Sequence, residues 1–546
     1  MVDQMGQVQV LRFMPGQARA AMNNAAAQEA RGEYLVWMDA GAGVLEGDWL
    51  QALLNQAQRP EVAAVGGKLV SADGRIQQVG LVLGLGGTTG SAFAGYPGSP
   101  GGPMERLWGE RNCTALSSQC LMLRRETFME AGGFTVDPLM APWADVDLCL
   151  RLQQAGYLNV WTPNARLSLD RAPAVGASSE QEEALYERWL PQLVNDPAYN
   201  ANFSLHAGKA FVAQDNGLCW RPVHGIVPSV LAFAADQQAS GQARVIQPLK
   251  ALRNTGVIDG SVTLGGLSLV DIERYSPSSI VLQRPLADAG LLTLRRLRAF
   301  SQALKVYDLD GYVPDIEFAT GLGADELLQR LSFGLMQADR VVVASPALAE
   351  LLHGQHDDVR LLESALPTSW GRLQGLRRAA DKPRLGWIGN SDAGLLADVV
   401  PAMAGEVDWV VLGDCPPALR PFVREHHAPV SQARLGETLA ALNLDLALVP
   451  MAETLGNACA GDLRVLQHAA CGHPVICSRV AGLVGGETLP LTRVSNHTAD
   501  WLRAIRLHLG DRDASAALGD ALQVAVRTGW LLEGGRLDAW RRAWMA

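Results

Sequence analysis

Three short stretches of this 546-residue chain place chemistry-bearing side chains where a fold can use them. Residues 33–44 read EYLVWMDAGAGV, an apolar strand that delivers one carboxylate, Asp39, to its end and is followed only by alanine, glycine and valine. Residues 144–157, ADVDLCLRLQQAGY, open a helical pattern with Asp145 and Asp147. Residues 385–391, LGWIGNS, put a glycine-bearing turn after a strand. A carboxylate at a strand or helix end can take a proton from a hydroxyl. Amides at a glycine turn followed by a helix can cradle phosphate. Each stretch also has a plain structural reading: Asp39 as a turn residue, Asp145 and Asp147 as carboxylates that favour a helix N-terminus, and the glycines as positions for positive φ. A hard divalent cation needs several oxygen ligands, so one isolated aspartate makes a poor clamp.

The elements that must position these groups follow an α/β rhythm. Apolar strand-like runs alternate with helical patterns through most of the chain, as parallel sheets require. The length implies several domain-sized units. An Ala-rich helix stopped at Gly32 leads into the Asp39 strand, and WLQALLNQA and VAAVGGKLV follow as helix and strand. The pattern weakens over residues 185–228, which read as a linker. Six strand candidates come next (SVLAFAAD, IDGSVTL, SIVLQRP, LKVYDLDG, RVVVAS, VRLLESAL), then four more (LGWIGNS, VDWVVLGD, LDLALVP, HPVICS). The expected boundaries are therefore 1–184, a linker at 185–228, 229–375 and 376–546.

Composition narrows the function classes. Forty-six Lys and Arg against 56 Asp and Glu give a formal net charge of −10, which argues against a broad nucleic-acid surface. Eight cysteines occur without CxxC pairs, and the histidines, among them His468 and His473, show no metal-site spacing. The first residues lack a signal-peptide pattern and no run approaches the roughly 20 apolar residues of a membrane span. The expected location is cytoplasmic, with at most peripheral membrane association.

Two resemblances add to this reading. Residues 8 to about 170 resemble the later part of a family 2 glycosyltransferase of GT-A fold. In that family the strand after A-x-GEY ends in an Asp-Xaa-Asp motif for a divalent metal. Here Asp39 is followed by Ala40 and Gly41. ADVDLCLRLQQAGY resembles the segment that carries the general base, with Asp145 at the base position and Ala144 in place of a glutamate. The histidine expected after the next strand is Asp170. From about Ser229 onward the chain resembles a family 4 glycosyltransferase of GT-B fold. Asn457, Asp462, Arg464, Gly472, Pro474 and Ser478 match its pattern, whereas Ala460, Gly461 and Gln467 replace its lysine, serine and glutamate.

The resemblance implies an α/β protein: a partial GT-A Rossmann-like domain, then a GT-B unit of two doubly wound Rossmann-like domains. It implies a hexosyltransferase-type enzyme that moves a sugar from a nucleotide-sugar donor to the hydroxyl of a glycan, lipid-linked or protein acceptor in bacterial surface glycan or protein glycosylation. Asp145 is the implied catalytic base, and Asp39, Gly389, Asn390, Asn457, Asp462 and Arg464 the implied donor-binding residues. No metal ligand and no cofactor is assigned, because the Asp-Xaa-Asp motif is incomplete. The competing reading is a catalytically degenerate glycan-binding or scaffold protein that partners an active transferase. A sugar-nucleotide epimerase ranks last, because its GxxGxxG loop and Tyr-x-x-x-Lys pair are missing.

Overall fold

A computed structural model describes residues 8–98, 101–169, 176–215, 218, 227–315, 322–376, 382–389, 391–461, 463–480 and 489–546. The chain divides into two compact units, one of residues 1–222 with 267–275, the other of 223–266 with 276–546. Asp170, Asn390 and Asp462 lie outside the described residues.

The first unit is built on a mixed sheet whose main strands lie in the order Tyr34–Met38, Cys120–Arg124, Val62–Val70, Leu158–Leu169, Ala42–Val44. Val62–Val70 (VAAVGGKLV) is buried at all nine positions, as a strand covered on both faces must be. It runs parallel to Leu158–Leu169 and antiparallel to Cys120–Arg124. The Asp39 strand pairs antiparallel with Cys120–Arg124, in a register that sets Met38 opposite Cys120. The small residues after Asp39 form a strand of their own, Ala42–Val44, which pairs with the end of Leu158–Leu169. A Cβ at Gly43 would lie 2.6 Å from Ser168 Oγ, so close approach keeps this position bare.

Residues 185–194, read from the sequence as the start of a linker, instead continue the helix Ser179–Val194. Ser178 and Gln181 form a capping box at its start, and Leu185, Tyr186, Trp189 and Leu193 are buried. Turn-forming residues farther on hid this helix; Pro191 is tolerated inside it. Helix Leu269–Tyr275 also belongs to this unit, where Arg274 donates to the carbonyls of Phe203 at 2.8 Å and Asn200 at 3.0 Å.

The second unit contains two six-stranded, wholly parallel sheets. The first has the order Asp259–Thr263, Ser229–Phe233, Ser279–Gln283, Leu304–Leu309, Arg340–Val343, Val359–Leu361. All six strands match the six runs read from the sequence. The second has the order Val423–His427, Asp408–Leu412, Arg384–Ile388, Leu446–Val449, Val475–Ser478, Thr492–Val494. Its two edge strands escape sequence reading because VREHH alternates between half-buried and exposed positions and TRV has only three residues. The chain finally returns to the first sheet. Helix Gly534–Trp544 buries Trp540 and Trp544 in that sheet's core, and Arg340 donates to the carbonyls of Arg542, Ala543 and Met545 at its C-terminal end.

Candidate functional site

In the first unit one short segment, residues 116–119, is bonded by the backbone of Asp39 and by the carboxylate of Asp145. The Asp39 amide donates to the Gln119 carbonyl at 3.0 Å. Its neighbour Ser118 donates to Asp145 Oδ2 twice, from the backbone amide at 2.9 Å and from Oγ at 3.2 Å. The Val146 amide donates to Asp145 Oδ1 at 2.9 Å. Helix Ala144–Gln154 presents Asp145 in its first turn, so Asp39 and Asp145 are both tied to residues that lead into strand Cys120–Arg124.

Asp145 is partly exposed, yet loss of hydration pushes its pKa above the usual carboxylate value, against the lowering effect of the Ser118 and Val146 donors. A carboxylate raised in this way is a better proton acceptor than a free one. Asp147, two residues on, is fully buried and holds two arginines, Arg151 at 3.0 Å and Arg188 at 2.9 Å. It anchors the helix from within. The two aspartates of ADVD thus separate into one bonded to Ser118 and partly exposed, and one buried in the interior.

Asp39 is only 21% exposed and already engaged: Arg19 Nη1 lies 3.6 Å from Oδ2, and the Gly41 amide donates to Oδ1 at 3.4 Å. No group of three or more His, Cys, Asp or Glu side chains that could hold a metal ion occurs among the described residues. Asp39 thus offers one carboxylate already paired with Arg19, where a divalent ion beside a diphosphate takes one or two carboxylates together with phosphate and water oxygens.

In the second unit the glycine turn has a different origin from positive φ. A Cβ at Gly389 would collide with the Asp414 backbone, and one at Gly386 with the Val410 backbone. Neither glycine has positive φ. The Gly389 amide donates to Leu412 O at 2.7 Å, so it is committed within the fold.

The crevice of a doubly wound sheet opens at the carboxyl ends of the strands where their order reverses, here between Arg384–Ile388 and Leu446–Val449. Asn457 spans that position, with Nδ2 donating to Asp392 Oδ2 at 2.9 Å and to the Ala452 carbonyl at 2.8 Å. Arg464 is half-buried on helix Leu463–Ala470, and Ser478 Oγ bonds the Met451 amide and Asn496. The structure therefore brings Asn457 to the crevice, beside an acidic residue, Asp392, that sequence reading did not single out.

Sequence reasoning also missed Ser118, Arg19 and Asp315. The Asp315 carboxylate packs so closely on Gly456 that a Cβ there would collide with it. None of the three sits in a motif, and each acquires its role only through tertiary contact. His468 and His473, read as surface or core residues, are both buried and face each other with Nδ1 atoms 3.3 Å apart. Among the described residues no helix is long and apolar enough to cross a membrane.

Known proteins are similar to parts of this chain. The O-antigen biosynthesis protein RfbC of Myxococcus xanthus is 35% identical over 253 residues, 42% of this chain and 19% of that protein. An N-acetylglucosaminyl-diphospho-decaprenol L-rhamnosyltransferase of Mycobacterium tuberculosis is 31% identical over 147 residues, 26% of this chain and 48% of that one. The chain thus spans less than half the length of either relative. The solved sucrose-phosphate synthase of Thermosynechococcus elongatus aligns with 58% of this chain and 98% of its own at 15% identity, with a TM-score of 0.46. The model of glycosyl transferase family 2 matches residues 1–132 of this chain.

Proposed function

We propose that the chain is a glycosyltransferase whose first unit transfers a sugar from a nucleotide-sugar donor to a hydroxyl acceptor during assembly of a bacterial surface glycan. The observation that carries this reading is the attachment of Asp145 and Asp39 to adjacent residues of the segment 116–119. Asp145 takes the acceptor proton as its oxygen attacks the anomeric carbon. The diphosphate leaves from the opposite face, and the configuration inverts. Asp39, with Arg19, contacts the donor without a bridging metal. The names of the two relatives, an O-antigen biosynthesis protein and an N-acetylglucosaminyl-diphospho-decaprenol L-rhamnosyltransferase, support a glycan acceptor, with a lipid-linked one favoured over protein. The reaction is placed in the cytoplasm, where nucleotide sugars are the donors.

For the second unit, donor contacts by Gly389, Asn390, Asn457, Asp462 and Arg464 form one reading. A binding or scaffold role for that unit is the other, favoured by Ala460 in the lysine position and by Asp315 against Gly456. The domain boundaries near residues 229 and 376 are part of the same proposal. A panel of UDP-, GDP- and dTDP-sugars, scored for hydrolysis and for transfer to a lipid-linked glycan, tests the reading in the wild type and in Asp145→Asn. Transfer that survives Asp145→Asn unchanged removes the base assignment. Absence of transfer with every donor favours the scaffold reading for the whole chain.

A further inference from the structure

We infer that Ser118 is a positioning residue of the transfer reaction, fixing the Asp145 carboxylate and, through its peptide link to Gln119, the spacing between Asp145 and Asp39. The inference rests on the reading of Asp145 as the base. Oδ2 of Asp145 receives both the Ser118 amide and the Ser118 hydroxyl, and Oδ1 receives the Val146 amide of its own helix. The carboxylate is therefore held in one orientation by a residue outside its helix.

The same segment is fastened a second time. The Leu116 amide donates to Cys149 Sγ at 3.4 Å, one turn along the Asp145 helix, and that thiol returns a weak bond to the Leu116 carbonyl at 3.8 Å. The segment consequently moves with the helix. Because Gln119 receives the Asp39 amide at 3.0 Å, displacement of Ser118 also displaces the end of the Asp39 strand. A residue so placed acts on geometry and on the proton affinity of its partner without touching the sugar.

The charged and titratable groups around Asp145 leave the reading of its titration clean. Cys149 is pushed up to about 12 by burial, so it stays neutral through the working range. Asp147 is engaged with Arg151 and Arg188 in the interior. Removal of the Ser118 hydroxyl takes away a donor to the ionised form, which moves Asp145 further upward. A threonine keeps the hydroxyl.

The test uses the full chain with 13C-labelled aspartate, as wild type, Ser118→Ala and Ser118→Thr, with Asp145→Asn to identify the Asp145 carboxyl resonance. In Ser118→Ala the resonance is expected to titrate at higher pH, the acid limb of kcat/KM to move with it, and kcat to fall on the order of tenfold with KM retained. Ser118→Thr is expected to restore both. A titration unmoved in Ser118→Ala overturns the inference, as does an equal loss of kcat in both variants with no movement of the acid limb. If the wild type transfers no sugar, the transfer reading falls, while the carboxyl titration still decides whether Ser118 holds Asp145.

Discussion

Asp147 and Arg188 form an ion pair at 2.9 Å in which the carboxylate has no solvent exposure. Trp189 Nε1 donates to the same oxygen at 3.0 Å, and Arg151 Nε holds the other oxygen at 3.0 Å. The pair joins helix Ala144–Gln154 to helix Ser179–Val194, so the second helix is part of the first unit's core and not a connection.

Removing Asp147 takes the shared acceptor from two partly exposed guanidinium groups and a buried indole N–H. Asp147→Ala is expected to destabilise the first unit by about 1–3 kcal/mol, because the buried indole N–H of Trp189 loses its acceptor while the partly exposed arginines turn to water. Arg188→Ala leaves Arg151 and Trp189 in place and is expected to cost less. Urea unfolding of the full chain followed by tryptophan fluorescence checks the order; an Asp147→Ala protein as stable as the wild type contradicts the anchoring role.

Asp145 behaves in the opposite sense. Its pKa is raised by desolvation, so the folded chain binds a proton at pH values where the unfolded chain has lost it. Stability from this group therefore falls as pH rises through that window, and at neutral pH the ionised carboxylate is a burden on the fold. Asp145→Asn is expected to lose transfer by at least 100-fold while keeping or slightly gaining stability at pH 7, with the gain vanishing in acid. Transfer by the wild type should decline with falling pH from above the ordinary carboxylate range. Paired rate and unfolding measurements between pH 4 and 8 show whether activity and stability separate in this way.

Much of this architecture is legible in the sequence because buried parallel strands must be continuous apolar runs. SIVLQ and RVVV in the first sheet of the second unit are of that kind. VREHH is not: an edge strand with one exposed face carries no such signal. The candidate site is legible only where a single residue and its flank carry the pattern, as for Asp145. The partners that define its chemistry come from segments 27 residues away in the case of Ser118, and 65 residues away for Asp392 with Asn457. Local propensity contains nothing about either distance.

Metal removal separates the two readings of Asp39. With Arg19 paired to it at 3.6 Å and small residues after it, Asp39 offers too few oxygens to a divalent ion. Transfer is expected to persist in EDTA at the rate measured with Mn²⁺, and to weaken when Arg19→Ala removes the local positive charge. Loss of all transfer on chelation, restored by added metal, contradicts this and requires further ligands from outside the described residues.

The buried histidines predict an acid-sensitive second unit. Burial, with Arg464 adding repulsion, holds His468 at about 3. The folded value lies below the unfolded one, so the unfolded chain binds the extra proton and stability is lost as pH falls from about 6.5 toward 3. Between pH 7 and pH 5 this group alone is expected to remove about 2 kcal/mol. His468→Leu should flatten the dependence without raising stability at pH 7 by more than about 1 kcal/mol. Equal slopes for both proteins in urea unfolding at the two pH values contradict the assignment.

Asp315 and Gly456 bear on whether the second unit takes a nucleotide. The Asp315 carboxylate packs on Gly456 within helix Leu455–Cys459, which ends just before Ala460, and the neighbouring crevice already holds Asp392. Carboxylates beside a diphosphate repel it, and Ala460 supplies no compensating charge. A lysine at 460 would offer a charge-assisted contact worth about 1.5–3 kcal/mol, but in the native background Asp315 competes for it. Ala460→Lys alone is therefore expected to change UDP binding little. Asp315→Asn combined with Ala460→Lys is expected to tighten it about tenfold or more, a coupling that calorimetric titration of the two single variants and the double variant measures directly. If the double variant binds UDP no better than the wild type, the helix does not face the phosphates, and the loss of the lysine from position 460 reflects a crevice that serves another ligand or none.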